Sequence, residues 1–183
     1  CPTHMDGARF ANAAAFLSCS AADMSWKAGI DAVSFGGTKN GCMGLEAVIF
    51  FDPAHAQGFE FRRKRAAQLS SKHRYLGAQM LAYLEDDLWL AMARQSNAAA
   101  SALEEKLRKL PDVTILNQRG ANMLFADWPR ALHQKLAAAG AVYYPSADVA
   151  AGDPNERVEA RLVCDWSATP EATDQFIELL AAG

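Results

Sequence analysis

The sequence has no long hydrophobic run and no excess of positive charge, and each absence removes a class of function. No apolar stretch approaches the roughly 20 residues that are needed to cross a bilayer, so we expect no membrane span. The 18 basic and 21 acidic residues are interspersed and give a net charge of −3. This distribution leaves no basic stripe for a nucleic-acid backbone. Neither a membrane nor a nucleic acid is expected as a partner.

Cysteine is also scarce and scattered, because the four cysteines contain no Cys-x-x-Cys pair. Such spacing argues against a zinc knuckle and against a disulfide framework, and it favours a reducing cytoplasm. No charged segment followed by an apolar stretch marks a secretory signal. The four histidines share no ligand spacing, so no metal site is expected. These residues are Cys1, Cys19, Cys42 and Cys164, and His4, His55, His73 and His133.

The first half of the chain predicts short strands, a glycine-rich loop and a long helical region. A strand ends near Asp6, and the alanine-rich segment Ala8–Leu17 has helical spacing. Two apolar runs, Asp31–Phe35 and Leu45–Phe51, flank the loop and predict strands. From Pro53 to Lys109 the pattern is helical. The predicted order is therefore strand, helix, strand, glycine-rich loop, strand and a long helical region, over residues 1–96.

The second half predicts a smaller α+β domain over residues 97–183. Pro111 ends the helical region, and strands and helices then alternate. The predicted strands are 113–116, 122–126, 141–144 and 158–166, and the predicted helices are 129–139 and 169–182. We expect a domain boundary near Asn97.

Lys39 is the most informative single residue. It lies between Gly36, Gly37 and Gly41, directly after an apolar strand, where the backbone can approach a ligand closely. On local sequence alone it is either a solvated loop lysine or, if partly desolvated, a nucleophilic amine that forms an imine with an aldehyde.

Asp6 and Arg9 form a second candidate pair. Three positions apart at a strand-to-helix junction, they can point to one side. Asp6 is either the N-cap of the following helix or a carboxylate for the ring nitrogen of a pyridoxal cofactor.

These residues carry a family resemblance. The segments His4–Arg9 (HMDGAR) and Ser34–Gly41 (SFGGTKNG) resemble motifs of the threonine aldolases in the β-eliminating lyase group. The segments Arg62–Arg74, Ala78-Gln79 and Asp86–Trp89 are similar to the branch that contains low-specificity threonine aldolases and phenylserine aldolase. The family's phosphate-binding segment and ring-stacking histidine precede the aspartate motif, so the chain is expected to be roughly the C-terminal half of the enzyme.

The resemblance implies a cofactor, pyridoxal 5'-phosphate, and a role for four residues. Lys39 would hold the cofactor as a Schiff base, and Asp6 would pair with its pyridine nitrogen. Arg9 would lie beside the cofactor and the substrate carboxylate. Arg161 would clamp that carboxylate, whereas without the resemblance it is equally well a strand arginine in a surface ion pair.

The implied fold is the aspartate-aminotransferase type, fold type I, with part of a large, mostly parallel-sheet α/β domain and a small C-terminal α+β domain. The implied activity is cleavage of threonine, allo-threonine or phenylserine to glycine and an aldehyde, in a homodimer or homotetramer with sites at the subunit interface. Three alternatives stay open: a β-eliminating lyase, an aminotransferase of the same fold, and an inactive fragment or interaction module.

Overall fold

The computed structural model describes residues 1–181 of the chain. Contacts within it divide the chain into two compact units, the first ending at Arg94 and the second beginning at Gln95. The division expected from the sequence, between residues 96 and 97, lies two residues further along the same helix. None of the helices in the described part of the chain is both long enough and apolar enough to cross a membrane.

The first unit contains a three-stranded sheet and the helices that follow it. Its elements are β1 (His4–Gly7), α1 (Phe10–Leu17), β2 (Ala32–Gly36), β3 (Glu46–Phe50), α2 (Phe59–Arg65), α3 (His73–Leu84) and α4 (Leu88–Leu107), the last of which ends in the second unit. The helical region predicted from Pro53 to Lys109 is therefore interrupted. The breaks coincide with residues of positive φ, at Ala67 and at Asp86 and Asp87.

The three strands form a mixed sheet in the order β1-β2-β3. β1 and β2 are parallel, with Asp6 opposite Ser34, because the connection between them contains α1 and crosses over. β3 is antiparallel to β2, with Glu46 opposite Gly36. The connecting loop 37–45 is too short for a crossover helix, so the chain turns back on itself.

Alternation along the strands separates an apolar face of this sheet from a polar one. The polar side chains of Asp6 and Ser34 share one face, since these residues are paired in register. The opposite face packs on an aromatic core. That core is made of Phe10, Val33, Phe35 and Tyr83, with Met5, Met80 and Trp89 among the residues packed against it.

The second unit is an antiparallel sheet covered by helices, in the strand order β4-β5-β7-β6. Its elements are β4 (Thr114–Ile115), β5 (Met123–Pro129), α5 (Arg130–Ala138), β6 (Tyr144–Pro145), β7 (Arg157–Val163) and α6 (Pro170–Ala181). Its buried core includes Leu107, Leu124, Trp128, Leu136, Ala160 and Leu162.

Three strand predictions in this unit were too long. β4, predicted over 113–116, covers only Thr114–Ile115. β6 begins at Tyr144 rather than Ala141, because the Ala141 amide donates to the Leu136 carbonyl at 2.9 Å and completes the end of α5. β7 ends at Val163 rather than Trp166. Beyond it the Asp165 side chain accepts from the Ser167 amide at 2.8 Å and turns the chain.

Candidate active site

The two motifs singled out in the sequence meet at one edge of the first unit's sheet. β1 and β2 are parallel and end at Gly7 and Gly36. A Cβ atom on Gly7 would lie 2.4 Å from the carbonyl oxygen of Ser34, and one on Gly36 would lie 3.3 Å from the Cα of Ala8. The backbones of the two motifs are therefore in direct contact. The carboxyl edge of parallel strands is where open α/β sheets bind ligands.

Asp6 presents a carboxylate at this edge. Its Oδ1 accepts a hydrogen bond from the Ala8 amide at 3.0 Å, and its Oδ2 has no hydrogen bond within residues 1–181. Asp6 is not the N-cap of α1, because that helix begins at Phe10 and Arg9 occupies the cap position. Arg9 is half-buried, and its carbonyl accepts from the Ala13 amide at 3.1 Å. The site thus has a carboxylate with one oxygen available.

Lys39 lies in a short 3₁₀ turn, Thr38–Asn40, which follows β2 and ends at Gly41 with φ of 101°. The loop is tied to the start of β3, because the Gly37 and Thr38 amides both donate to the Leu45 carbonyl, at 2.8 and 3.2 Å. The Lys39 side chain is exposed. The partial burial that the sequence argument required of it is therefore not provided by residues 1–181.

Two residues at this edge were missed by the sequence analysis. Asn40 is buried, and its side chain bonds to residues of two helices. Glu46 is the first residue of β3 and lies opposite Gly36, where its Oε2 would be 2.7 Å from a Cβ on that glycine. The sequence contained one signal for each. Asn40 is a polar residue next to the glycines, and Glu46 is a carboxylate at the first position of the returning strand.

The hydroxyl groups near Lys39 are used locally. Ser34 Oγ and His4 Nε2 are 2.8 Å apart across the parallel pair, and Thr38 Oγ1 donates to the Leu45 carbonyl at 3.2 Å. Burial raises the pKa of the Cys42 thiol, which is close to Gly37. The thiol therefore stays protonated near neutral pH and is a poor nucleophile.

Arg161 lies in the second unit, on the exposed face of β7. Alternation places Val158, Ala160 and Leu162 in the core and leaves Arg157 and Arg161 outside. The guanidinium of Arg161 lies over the ring of Tyr144, with its carbon 4.3 Å from the ring centroid. Within the described part of the chain, it makes no ion pair.

Arg157 is the contrasting arginine on the same face. Its Nε donates to Asp127 Oδ1 at 2.8 Å, and its Nη2 donates to Thr114 Oγ1 at 2.8 Å and to the Asp127 carbonyl at 2.9 Å. A guanidinium whose Nε and Nη2 are already used in this way binds a ligand carboxylate less readily than one whose donors are all available. Of the two arginines, Arg161 is the one whose guanidinium makes no hydrogen bond within residues 1–181.

No group of three or more His, Cys, Asp or Glu residues that could hold a metal ion occurs in residues 1–181. All four cysteines are unpaired.

A family model described as beta-eliminating lyase matches residues 1–129. The chain belongs to the β-eliminating lyase family. Among curated proteins it is 41% identical over 168 residues to a low specificity L-threonine aldolase from Pseudomonas aeruginosa, covering 92% of this chain and 46% of that protein. It is 40% identical over 169 residues to a protein of the same name from Pseudomonas sp. strain NCIMB 10558, with the same coverage. The chain therefore spans about half the length of the curated relatives that it matches.

Solved structures show the fold of this β-eliminating lyase chain. A threonine aldolase from Leishmania major superposes with a TM-score of 0.84 at 24% identity, covering 97% of this chain and 50% of that one. A tryptophan decarboxylase from Catharanthus roseus superposes with a TM-score of 0.63 at 15% identity, covering 98% and 43%. The predicted fold class, fold type I, and the predicted resemblance to threonine aldolases are both confirmed.

Proposed function

We propose that this chain is part of a pyridoxal-phosphate-dependent aldolase that cleaves a β-hydroxy-α-amino acid to glycine and an aldehyde. The observation that carries the proposal is the contact between the Asp6 and Lys39 motifs at the carboxyl edge of β1 and β2. That contact brings a carboxylate and an amine to one end of a sheet, as the cofactor requires. The names of the two Pseudomonas relatives support the choice of reaction.

The residues at this edge fit the cofactor in charge and in space. The Oδ2 of Asp6 is available to a protonated ring nitrogen, and the Lys39 amine stands on an exposed loop. Gly36 and Gly37 place no side chains at the end of β2. A Cβ atom on Gly36 would contact Glu46, and one on Gly37 would contact Cys42. When bound, pyridoxal phosphate supplies an electron sink conjugated to the substrate Cα.

The roles that follow for the first unit are specific. Asp6 keeps the proton on the ring nitrogen, because a carboxylate beside it stabilises the charged form. Its second oxygen is held by the Ala8 amide, which fixes the direction in which the carboxylate points. Lys39 would hold the cofactor through its amine. Arg9, at the start of α1, assists in binding the substrate carboxylate.

Arg161 is proposed to bind the substrate α-carboxylate. A guanidinium binds a carboxylate with two parallel hydrogen bonds and so fixes its orientation. Fixing the carboxylate limits the orientations that the bound amino acid can take. The lack of an ion pair at Arg161, in contrast to the ion pair of Arg157 with Asp127, supports this choice.

Further proposals concern the domains, the assembly and the location. We propose that residues 1–96 belong to the large cofactor-binding domain and residues 97–183 to the small domain.

We propose a homodimer or homotetramer, supported by large apolar side chains exposed on α2 and α3, namely Phe61, Tyr75 and Leu81. Light scattering of the intact protein tests this assembly. The four unpaired cysteines support a cytoplasmic location.

The experiment uses the intact protein reconstituted with pyridoxal phosphate. Borohydride reduction is expected to fix the cofactor on Lys39, as located by peptide mass, and Lys39→Ala is expected to remove both the visible absorbance band and most turnover. Lys27→Ala is the matched control, because Lys27 is exposed and paired with Asp23 at 3.0 Å.

The products decide between the reactions. Glycine and an aldehyde from threonine or phenylserine support the aldolase. Release of pyruvate and ammonia would instead indicate a β-eliminating lyase, and a requirement for a 2-oxo acid would indicate an aminotransferase. Trapping of the cofactor on a lysine other than Lys39, or no trapping at all, would contradict the proposal.

A further inference from the structure

The loop 37–45, which carries Lys39, has only a weak intrinsic preference for one conformation. Three of the residues nearest to Lys39 are glycines, which lose the most conformational freedom when they are ordered. Bonds to the Leu45 carbonyl fix the beginning of the loop. The Asn40 and Cys42 amides both donate to the Gly37 carbonyl, at 3.0 and 3.1 Å. Further along, the Met43 amide donates to Gln79 Oε1 at 2.8 Å, and the bonds made by the Asn40 side chain are the ones next to Lys39.

The Asn40 side chain is directed into the unit and is only 3% exposed. Its Nδ2 donates to the Tyr83 hydroxyl at 2.6 Å and to the Trp89 carbonyl at 2.8 Å. A carbonyl only accepts, so the nitrogen of the amide must face Trp89. Both hydrogens of Nδ2 are therefore used, and the amide is held in one orientation.

The two acceptors belong to rigid elements. Tyr83 is in α3 and Trp89 is in the first turn of α4. Both pack on Phe35, with ring centroids 6.0 and 5.8 Å away, so they are part of the aromatic core beneath the sheet. Burial raises the pKa of Tyr83, so its hydroxyl stays protonated and neutral as an acceptor for Asn40.

We propose that Asn40 is a positioning residue for Lys39. Its two hydrogen bonds fasten the exposed lysine loop to the two helices, so that the adjacent amine is held at the carboxyl edge near Asp6. The inference rests on the proposed role of Lys39. It adds a residue that touches neither cofactor nor substrate and acts through its neighbour in the chain.

The test compares Asn40→Asp with Tyr83→Phe and with the control Asn155→Ala in the intact protein. Asn40→Asp keeps the size of the side chain but places an oxygen against the Trp89 carbonyl, so both donors are lost. Tyr83→Phe removes only one acceptor. Asn155 is an exposed asparagine whose side chain makes no hydrogen bond in the described chain. Far-UV circular dichroism first establishes that each variant is folded.

Three readouts are used: the rate at which borohydride fixes pyridoxal phosphate on Lys39, the pH dependence of the visible absorbance band, and amide hydrogen exchange of residues 36–45 without cofactor. We expect Asn40→Asp to slow trapping by about tenfold, which corresponds to the loss of one or two buried hydrogen bonds. It should also shift the pH profile and speed exchange in the loop. Tyr83→Phe should have a smaller effect, and Asn155→Ala none.

Two results would overturn the proposal, and they have different meanings. If the unmodified protein traps the cofactor on Lys39 and Asn40→Asp does so at the same rate with the same pH profile, Asn40 is only a structural residue. If the unmodified protein does not trap the cofactor on Lys39, the proposed function itself fails. Hydrogen exchange then still reports separately whether Asn40 orders the loop.

Discussion

Tyr144 and Arg161 are paired in register across β6 and β7, and the guanidinium lies over the tyrosine ring at 4.3 Å. The contact leaves the hydrogen-bond donors of the arginine unused while it limits the directions that the side chain can take. An arginine that is oriented by an aromatic face and has no carboxylate partner is suited to bind the carboxylate of a ligand.

The first prediction concerns Arg161 itself. Arg161→Ala in the intact enzyme should raise KM for the amino-acid substrate by about 10- to 100-fold, because charge-assisted hydrogen bonds to the carboxylate are lost. Steady-state kinetics with threonine or phenylserine give the measurement. Arg157→Ala is the matched control, since it lies on the same face of the same strand but is bound to Asp127. It should lower the unfolding temperature and leave KM nearly unchanged, and the reverse pattern would contradict the assignment.

A second prediction concerns the ring of Tyr144. Tyr144→Phe keeps an aromatic face and should leave KM close to that of the unmodified enzyme. Tyr144→Ala removes the face and should raise KM by about two- to fivefold, the size of an exposed cation–π contact. Equal KM values for the two variants would show that the ring does not orient Arg161.

Asp6→Asn gives a third prediction. The substitution keeps an oxygen for the Ala8 amide, which Asp6 Oδ1 now accepts at 3.0 Å, so the local backbone should be unchanged. It replaces the available carboxylate oxygen by a neutral amide, and kcat should fall on the order of a hundredfold because the developing charge is no longer stabilised. Cofactor titration and kcat are measured together. Unchanged kcat with bound cofactor would show that Asp6 does not contact the ring nitrogen.

The fourth prediction is a pH dependence of stability in the second unit. His133 is fully buried, with Nδ1 2.9 Å from the Tyr143 hydroxyl and Nε2 2.9 Å from the Val158 carbonyl. Burial lowers its pKa below the ordinary value of 6.5, and burial also raises the pKa of Tyr143 to about 12. Both groups are therefore neutral in the folded protein near neutral pH.

The direction of the pH effect follows from proton binding. Below the ordinary pKa the unfolded chain protonates His133 and the folded chain does not. The stabilising contribution of the neutral ring is therefore complete above 6.5 and is lost as the pH falls toward the folded pKa, at up to about 1.4 kcal/mol per pH unit. Urea unfolding of the intact protein over this range measures how the free energy of unfolding changes with pH. This free energy should change less steeply with pH in His133→Gln than in the unmodified protein. Identical slopes would contradict the prediction.

Much of the fold could be predicted from the sequence because its signals are local. The strand-to-helix junction at Asp6, the glycine-rich loop and the final helix all follow from periodicity and turn residues. The interruptions of the long helical region could not be predicted, because Ala67 and Asp86 adopt positive φ without glycine. Both residues are exposed, so no pattern of buried residues marked the breaks either.

The candidate site was predictable to a different extent. Asp6, Arg9, Lys39 and Arg161 were named from motifs, and their roles stay predictions. Asn40 was not recognised as important, because its one signal, a polar residue next to glycines, is ordinarily that of an asparagine that bonds to its own backbone. Only the folded structure brings Tyr83 and Trp89, which are distant in the sequence, to its side chain.

The backbone contact at Gly7 has a consequence for the way in which this protein can evolve. Any side chain at residue 7 would collide with the Ser34 carbonyl, whereas Gly77 and Gly120 have open space in the same direction. In a library of random variants, position 7 should accept glycine alone, while positions 77 and 120 should accept other residues. One added methyl group would force the two parallel strands apart and carry the Asp6 carboxylate away from the lysine loop. The close approach of the two parallel strands therefore depends on the absence of a single carbon atom.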